Sequence, residues 1–250
     1  MSYSKKYLKY TQQLMDEIVT EEMEAIQQAA ELIVQQIKSN EIIHIYGPGG
    51  HSNIAAQEVF FRAGGLMHMS AILDDGTLLS AGALRSMQVE RITGYAPIVL
   101  QDYPLKKEGI LVIVNAYGIN AATIDSALYA KELGMKVIGI SSKSHAEQTP
   151  LDHPARHTTK KNLYELVDVH IDSKVLPGDA VISIDGVAQP VGAISSFANN
   201  IILNCLTIEI IDLLSKQGIE PPIWKSGNVT GGDEWNAQFI NQFKHRIKKL

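Results

Sequence analysis

The sequence predicts an α/β fold of three layers, in which a parallel β-sheet lies between helices. Short apolar runs rich in β-branched residues alternate along the chain with longer segments of helical periodicity. The first apolar run, Ile42–Tyr46, leads directly into the glycine-rich turn Gly47–Ser52. Because parallel strands must be joined by crossover connections, this strand–turn–helix order is typical of a parallel sheet.

The N-terminal segment, residues 1–39, is predicted to be helical. From Ser2 to Ser39 it contains neither glycine nor proline, and its apolar residues recur at steps near 3.6. The pattern fits one long helix or two shorter ones. A continuous helix would extend about 50 Å at 1.5 Å per residue, too long for one domain of this size to cover. We therefore expect residues 1–39 to be a dimerisation segment.

The remaining elements follow from periodicity and turn signals in chain order. Strands are predicted at Ile42–Tyr46, Leu66–Leu73, Gly109–Val114, Lys136–Ser141 and Leu166–Ile171. Helices are predicted near Asn53–Ala63, Leu79–Arg91, Ala121–Leu133, Ser195–Lys216 and Trp235–Lys249. A hairpin is predicted from Val181–Ile184 and Val187–Gln189 around the turn Asp185-Gly186, and irregular structure in residues 219–234. No linker is evident, so residues 1–250 are expected to form a single domain, closed by a tail and helix in residues 219–250.

Composition excludes several classes of protein. With 45% hydrophobic and 20% charged residues the chain has an ordinary globular composition. The net charge of −5 and the scattered basic residues argue against nucleic acid or a membrane as a partner. Cys205 is the single cysteine, so no disulfide can form within the chain. The N-terminus lacks the apolar core of a signal peptide, and a cytoplasmic location is expected.

Three loops are expected at the edge of the sheet where ligands of parallel α/β proteins bind, beyond the carboxyl ends of the strands. They are Gly47–Ser52, Asn115–Asn120 and Ser141–His145. Their glycine, hydroxyl and amide groups suit a small polar anion. The predicted binding residues are Gly49, Gly50, Ser52, Asn115, Gly118, Asn120, Ser141 and Ser142.

The same loops do not carry the complete sequence pattern of a nucleotide or metal site. No Gly-Lys-Ser/Thr sequence is present, which excludes a nucleoside-triphosphate P-loop. The turn Gly47–Ser52 nearly matches the dinucleotide pattern G-x-G-x-x-G, and Asp74 follows the next strand, but Ser52 stands where the third glycine packs helix against strand. The histidines show no metal-ligand spacing. We expect neither cofactor nor metal.

At these residues the chain resembles a known family. The turn with His51-Ser52, followed by residues 58–66, is similar to the sugar isomerase (SIS) domain, and within it to a bacterial group described as phosphosugar isomerases. The likeness continues through residues 156–161, 168–172, 177–180, 186–192, 221–228 and 231–236, and covers nearly the whole chain. It implies a five-stranded parallel sheet, binding of a phosphorylated sugar, and a homo-oligomer, dimer or tetramer, in which N-terminal helices pack across subunits.

One segment departs from the family pattern. SIS domains usually carry a turn of the type S-x-S-G-x-T after the third strand, whose hydroxyls and amides hold the phosphate. This chain has Asn115–Asn120 there, which keeps the glycine and lacks the hydroxyls. The ligand could therefore be a different phosphosugar, an unphosphorylated sugar, or one held mainly by the other loops.

Four residues are candidates for catalysis. Glu58 and Glu90 could each move a proton beside a sugar carbonyl, although a salt bridge, Glu58 with Arg62 for example, explains each equally simply. His51 and His157 could assist ring opening, with Arg156 clamping a phosphate. Solvated loop residues are the alternative for all three.

The resemblance implies an aldose–ketose sugar-phosphate isomerase as the function. A lyase or etherase acting on an amino-sugar phosphate would use the same carboxylate for elimination. A non-catalytic sugar-phosphate sensor is the alternative from a different class, and the altered Asn115–Asn120 loop favours it.

Overall fold

The computed structural model describes residues 1–250 as an α/β structure with a five-stranded, wholly parallel sheet. The strands of the sheet are β1 (Ile43–Tyr46), β2 (Met69–Ile72), β3 (Ile110–Val114), β4 (Lys136–Ser141) and β5 (Val169–Asp172). A separate antiparallel pair consists of β6 (Ala180–Ile182) and β7 (Val191–Ala193). The predicted fold class is confirmed.

Nine α-helices accompany the strands. They are α1 (Tyr3–Glu21), α2 (Met23–Lys38), α3 (Ser52–Glu58), α4 (Ala83–Val89), α5 (Tyr95–Gln101), α6 (Ala121–Glu132), α7 (Lys143–Gln148), α8 (Ser195–Lys216) and α9 (Gly232–Phe243). The N-terminal segment is thus two helices that meet at Glu22. The side chain of Glu22 also accepts a hydrogen bond of 3.0 Å from the Asp172 N–H, which joins this break to the end of β5.

The order of strands in the sheet is β2-β1-β3-β4-β5. Alternate residues of β3 supply the two cores: Ile110, Val112 and Val114 face the layer that contains α2 and α8, and Leu111 and Ile113 face α5 and α6. Strands buried on both faces therefore appear in the sequence as continuous apolar runs. A third, smaller cluster around Trp224 and Phe243 anchors the C-terminal tail.

Four local predictions differ from the structure. Helix α3 ends at Glu58 rather than near Ala63, and α4 is preceded by a 3₁₀ turn at Leu79–Ala81. Helix α5 was not predicted because Pro97 falls within it; the proline lies in the first turn, where its missing N–H has no intrahelical acceptor. Helix α9 begins at Gly232 and ends at Phe243, before the basic residues that follow.

The predicted hairpin is wrong in its second strand. The chain does turn at Asp185-Gly186, where Gly186 has a φ of +77°. The strand that pairs with β6 is however β7, so the two are joined by residues 183–190, and Ile182 pairs with Val191. Pro190 lacks a donor for a ladder hydrogen bond, which is consistent with a strand that begins only after it.

Helix α8 is the one helix long and apolar enough to cross a membrane by length and composition, with a mean hydropathy of 1.5 over its most apolar window. It contributes Ala198, Ile202, Leu206, Ile210 and Leu214 to the main core. A central helix of a globular domain has the same composition.

Candidate functional site

A cleft of about 210 Å³ opens at the carboxyl edge of the sheet, between β1 and β3. Because the neighbours of β1 are β2 on one side and β3 on the other, the connections leaving β1 and β3 diverge here, and the loops after these strands form the two walls. The lining comprises Gly49, Gly50, His51, Ser52, Leu79, Ala83, Ser86, Met87, Glu90, Asn115, Ala116, Tyr117, Asn120, Asp179, Ser195 and Asn199.

The glycine-rich turn forms the floor of the cleft. Gly49 has a φ of +141°, which only glycine adopts without strain. Its carbonyl accepts two hydrogen bonds from Asn53, of 3.1 Å from the backbone N–H and 2.7 Å from Nδ2. The backbone N–H groups of Gly50 and His51 donate to no acceptor in the protein. The turn is therefore held rigidly with amide donors free for a ligand.

Asn115 joins the turn after β1 to the loop after β3. Its Nδ2 donates to the Pro48 carbonyl at 3.1 Å and approaches Ser52 Oγ at 3.4 Å. Its Oδ1 accepts from the N–H groups of Tyr117 and Gly118 at 3.1 and 2.9 Å. Asn115 thus lines the cleft as predicted, but its side-chain oxygen accepts the hydrogen bonds of the N–H groups in its own loop, which are then not free for a ligand. Gly118 does not line the cleft.

Glu90 lies against the glycine turn. It follows the last residue of α4, and a Cβ built on Gly49 would stand only 2.6 Å from Glu90 Oε2. Burial of the carboxyl raises the pKa of Glu90 to about 7, against a smaller opposing effect of the Arg91 charge. A carboxyl with a pKa near neutrality can both accept and return a proton, which is the requirement for general acid–base catalysis.

The opposite wall contains residues that sequence reasoning missed. Asp179 Oδ1 accepts from the N–H groups of Ile194 and Ser195 at 2.9 and 2.7 Å, and its Oδ2 accepts from Ser195 Oγ at 2.7 Å, so it caps α8 from the segment before β6. Tyr117 stacks on His145 with ring centroids 3.8 Å apart. The motif Pro177–Ala180, part of the family resemblance, was the one available signal for Asp179.

Burial sets the protonation of the stacked pair. It lowers the pKa of His145 to about 4, with a further lowering by the Arg156 charge, and it raises the pKa of Tyr117 to about 12. Both rings are therefore neutral near pH 7. Asn199, which is 3% exposed, adds a side-chain oxygen without a hydrogen-bond partner to the same cleft.

Several predicted site residues lie outside the cleft. Glu58 pairs with Arg62 at 3.3 Å beside a different cavity. Arg156 is held by the carbonyls of Thr149 and Pro150 and by Asn162 Oδ1, so its guanidinium has no free edge aimed at the cleft. These side chains form internal connections, and the structure does not bring them to Glu90.

His157 and the loop after β4 are likewise structural. His157 is 4% exposed, with Nε2 3.0 Å from Asp125 Oδ1 and Nδ1 2.8 Å from Thr159 Oγ1. Ser141 Oγ lies 3.0 Å from His170 Nε2, and Ser142 Oγ donates to the Val175 carbonyl while capping α7. Their hydroxyls are used within the protein. The predicted residues that do line the cleft are Gly49, Gly50, His51, Ser52, Glu90, Asn115 and Asn120.

The charged side chains that line the cleft are acidic, which is unusual for an anion site. Its lining contains two carboxyl groups, Glu90 and Asp179, and neither lysine nor arginine. An anion held here would depend on backbone amides and hydroxyls, as at other glycine-rich turns. No group of three or more His, Cys, Asp or Glu side chains in the chain is arranged to hold a metal ion.

Comparison with known proteins defines the class. Residues 6–142 match the model of the SIS domain. The chain belongs to the SIS-domain family.

Among its relatives is a UPF0309 protein of Halalkalibacterium halodurans, 35% identical over 244 residues, which cover 98% of this chain and 96% of that protein. A UPF0309 protein of Geobacillus thermodenitrificans is 35% identical over 233 residues, covering 93% of this chain and 92% of the relative.

Solved structures share the fold. A phosphoheptose isomerase from Neisseria gonorrhoeae superposes with a TM-score of 0.57 at 16% identity, over 84% of this chain and 97% of that one. A phosphoheptose isomerase from Francisella tularensis superposes with a TM-score of 0.56 at 17% identity, over 85% of this chain and 99% of that one. At these identities the likeness is one of fold.

Proposed function

We propose that this chain binds a sugar phosphate in the cleft and interconverts its aldose and ketose forms, with Glu90 as the base. The observation that carries the proposal is the position of the Glu90 carboxyl, which has a pKa of about 7 and lies against a turn with free amide donors. Buried titratable groups with shifted pKa values in a cleft are characteristic of catalytic sites. The SIS fold and the isomerases that share it are consistent with this reaction.

The reaction requires one proton to move between two carbons. In the aldose, Glu90 takes the proton from C2, the C2–H electron pair forms the enediol double bond, and the carbonyl oxygen at C1 gains a proton. Glu90 then returns its proton to C1 while the hydroxyl at C2 loses its own and becomes the ketone. His51, exposed at the mouth of the cleft, is placed to exchange the oxygen-bound protons.

The phosphate would be held by the turn after β1. The N–H groups of Gly50 and His51 have no acceptor in the protein, and Ser52 Oγ lies beside them in the cleft. Asn120, which caps α6 through its Oδ1, adds side-chain N–H donors from the opposite loop. Gly118, Ser141, Ser142 and Arg156 have no place in this proposal because they do not line the cleft.

Proton exchange at C2 tests the proposal directly. Incubation with a panel of aldose and ketose phosphates in D₂O should replace the C2 hydrogen of an aldose substrate, or one C1 hydrogen of a ketose substrate, by deuterium, which proton NMR detects. Glu90→Gln should abolish the exchange and leave ligand binding intact, since the amide cannot accept the proton. Glu58→Gln is the matched control and should exchange at the wild-type rate. Exchange that survives in Glu90→Gln would contradict the role of Glu90.

A non-catalytic sugar-phosphate sensor is the second candidate function. It is favoured by Asn115, whose Oδ1 occupies the Tyr117 and Gly118 amides in place of the family's hydroxyl-rich turn. Binding of a sugar phosphate without exchange in the wild type would support the sensor. Release of a C3 substituent from an amino-sugar phosphate would instead identify the lyase or etherase reaction.

We further propose that the chain acts as a homo-oligomer through α1 and α8. Leu8 on α1 and Phe197 and Ile208 on α8 are 57%, 45% and 61% exposed, although both helices contribute other residues to the main core. The family resemblance implies that a second copy of the chain packs against these exposed side chains. Light scattering coupled to size exclusion should give twice the chain mass or more, and Phe197→Glu with Ile208→Glu should reduce it to one chain.

A further inference from the structure

A second cavity lies at the opposite edge of the sheet from the cleft. It has a volume of about 300 Å³ and is bounded by segments that precede three strands, β1, β3 and β4, and by the chain after α9. Its lining comprises Glu41, Ile42, His44, Pro104, Lys106, Gly109, Met135, His245 and Arg246. None of these residues lines the cleft.

His44 is the buried polar group of this cavity. It lies on β1, is 3% exposed, and packs edge-on against Tyr103 with ring centroids 6.3 Å apart. Its Nδ1 is buried without a hydrogen-bond partner, and the residue lines the cavity. Because buried polar atoms in folded proteins are nearly always paired, an unpaired imidazole on a cavity wall points to a polar occupant.

Cations surround the same cavity. Lys106 forms an ion pair with Glu41, the single carboxylate of the lining, and the Lys106 side chain is 58% exposed and therefore free to reorient. Arg246 is fixed by a hydrogen bond of 3.1 Å from Nη1 to Asn40 Oδ1. The lining thus has two cationic side chains, Lys106 and Arg246, and one carboxylate, Glu41.

The basic C-terminal residues contact other segments of the fold: Arg246 bonds Asn40, and Lys248 Nζ pairs with Asp102 Oδ2 at 3.3 Å. Helix α9 ends at Phe243, and the basic segment 244–249 follows it. Ile247, 1% exposed, holds this segment in place, and Lys248 Nζ lies 4.9 Å above the ring of Tyr103, the ring that also contacts His44. The tail thus brings His245 and Arg246 to the lining of the cavity.

We propose that this cavity is a second binding site, distinct from the cleft, for a small anion that carries a phosphate or carboxylate group. Lys106 and Arg246 would pair with the anionic oxygens, and the imidazole of His44 would donate a hydrogen bond from the wall. Ile42, Pro104 and Met135 form the apolar remainder of the lining and limit the ligand to a small molecule.

Calorimetric titration of the full chain tests the site. Inorganic phosphate and succinate serve as separate probes in a buffer of low ionic strength. Combined Lys106→Gln and His245→Gln substitutions should weaken binding at this site about tenfold or more, because the first removes a positive charge and the second removes an imidazole ring from the cavity lining, while the core is left untouched. The controls are Lys107→Gln, an exposed neighbour outside the cavity, and Ser52→Ala in the cleft, and both should retain wild-type affinity here.

A second readout locates the anion. The imidazole C–H signals of His44, assigned by their loss in His44→Gln, should shift during the phosphate or succinate titration and reach saturation with the calorimetric constant. Binding of one probe and not the other would identify the anionic group the site takes.

Two results would overturn the proposal. One is the absence of binding by either probe together with unchanged His44 signals. The other is binding that Ser52→Ala removes and the Lys106/His245 variant keeps, which would assign the anion to the cleft. Failure of the isomerase proposal would leave the His44 signals and the Lys106/His245 result unaffected, so the two proposals fail separately.

Discussion

Replacing Glu90 should make the protein more stable at alkaline pH. Burial raises the pKa of Glu90 from its ordinary value of 4.5 to about 7. Below pH 4.5 the carboxyl is protonated in both the folded and unfolded chains. Between pH 4.5 and about 7 the unfolded chain loses this proton while the folded one keeps it, so the free energy of unfolding falls as the pH rises. Above pH 7 the free energy of unfolding has fallen by the full amount that this carboxyl can contribute.

The magnitude follows from the difference between the two pKa values. At about 1.4 kcal/mol per pKa unit, ionisation of Glu90 in the folded state costs about 3 kcal/mol. Glu90→Gln has no proton to lose and should match the wild type at pH 4.5 and exceed its stability by about 3 kcal/mol at pH 8.5. For a chain of this size the midpoint of thermal unfolding should rise by about 6–12 °C at the higher pH.

Thermal unfolding of both proteins across pH 4.5–8.5 checks this expectation, with Glu58→Gln as the control. The Glu58–Arg62 pair has an Arg62 side chain that is 60% exposed, so its loss should change stability by no more than about 1 kcal/mol. Equal midpoints of Glu90→Gln and wild type at pH 8.5 would refute the reasoning, because the ionised carboxylate would then carry no burial penalty. A stabilising substitution at the proposed catalytic residue is the usual trade between stability and activity.

Three further substitutions test the site and its supports. Gly49→Ala places a Cβ 2.6 Å from Glu90 Oε2 on a backbone with φ of +141°, and should lower kcat for deuterium exchange about 100-fold by displacing the carboxyl. Asp179→Ala removes the cap of α8 and should cost about 1–2 kcal/mol in urea unfolding. His157→Gln, which loses the contact with Asp125, should destabilise the fold by about 1–3 kcal/mol and leave the exchange rate unchanged; a large loss of exchange would restore His157 as a catalytic candidate.

The fold class could be predicted because its signals are local. Strands buried on both faces appear as continuous apolar runs, and all five predicted strands overlap those of the sheet. The exceptions have local causes too. Pro97 argues against a helix in the sequence, yet it lies in the first turn of α5. The turn at Asp185-Gly186 predicts a two-residue hairpin, whereas the partner strand β7 begins only after Pro190.

The candidate site could be predicted only in part. The turn at Gly49 and Gly50 follows a strand, and topology alone places it at the carboxyl edge of the sheet. Glu58 and Glu90 were equivalent as sequence, since each stands near the end of a helix with an arginine close by. The structure separates them: Glu58 lies at the end of α3 beside Arg62, and Glu90 lies over the glycine turn.

The sequence by itself determined the alternation of strands and helices, the glycine turn and the family. These depend on side-chain periodicity and backbone freedom, which neighbouring residues specify. Only the tertiary structure decided which polar groups are free to bind a ligand. Asn115 is bonded to the Pro48 carbonyl and His157 contacts Asp125, both distant in the chain, whereas the Gly50 and His51 amides are left unpaired. The partial burial of Glu90 against Gly49 and the burial of His44 beside Tyr103 likewise arise from segments remote in the chain.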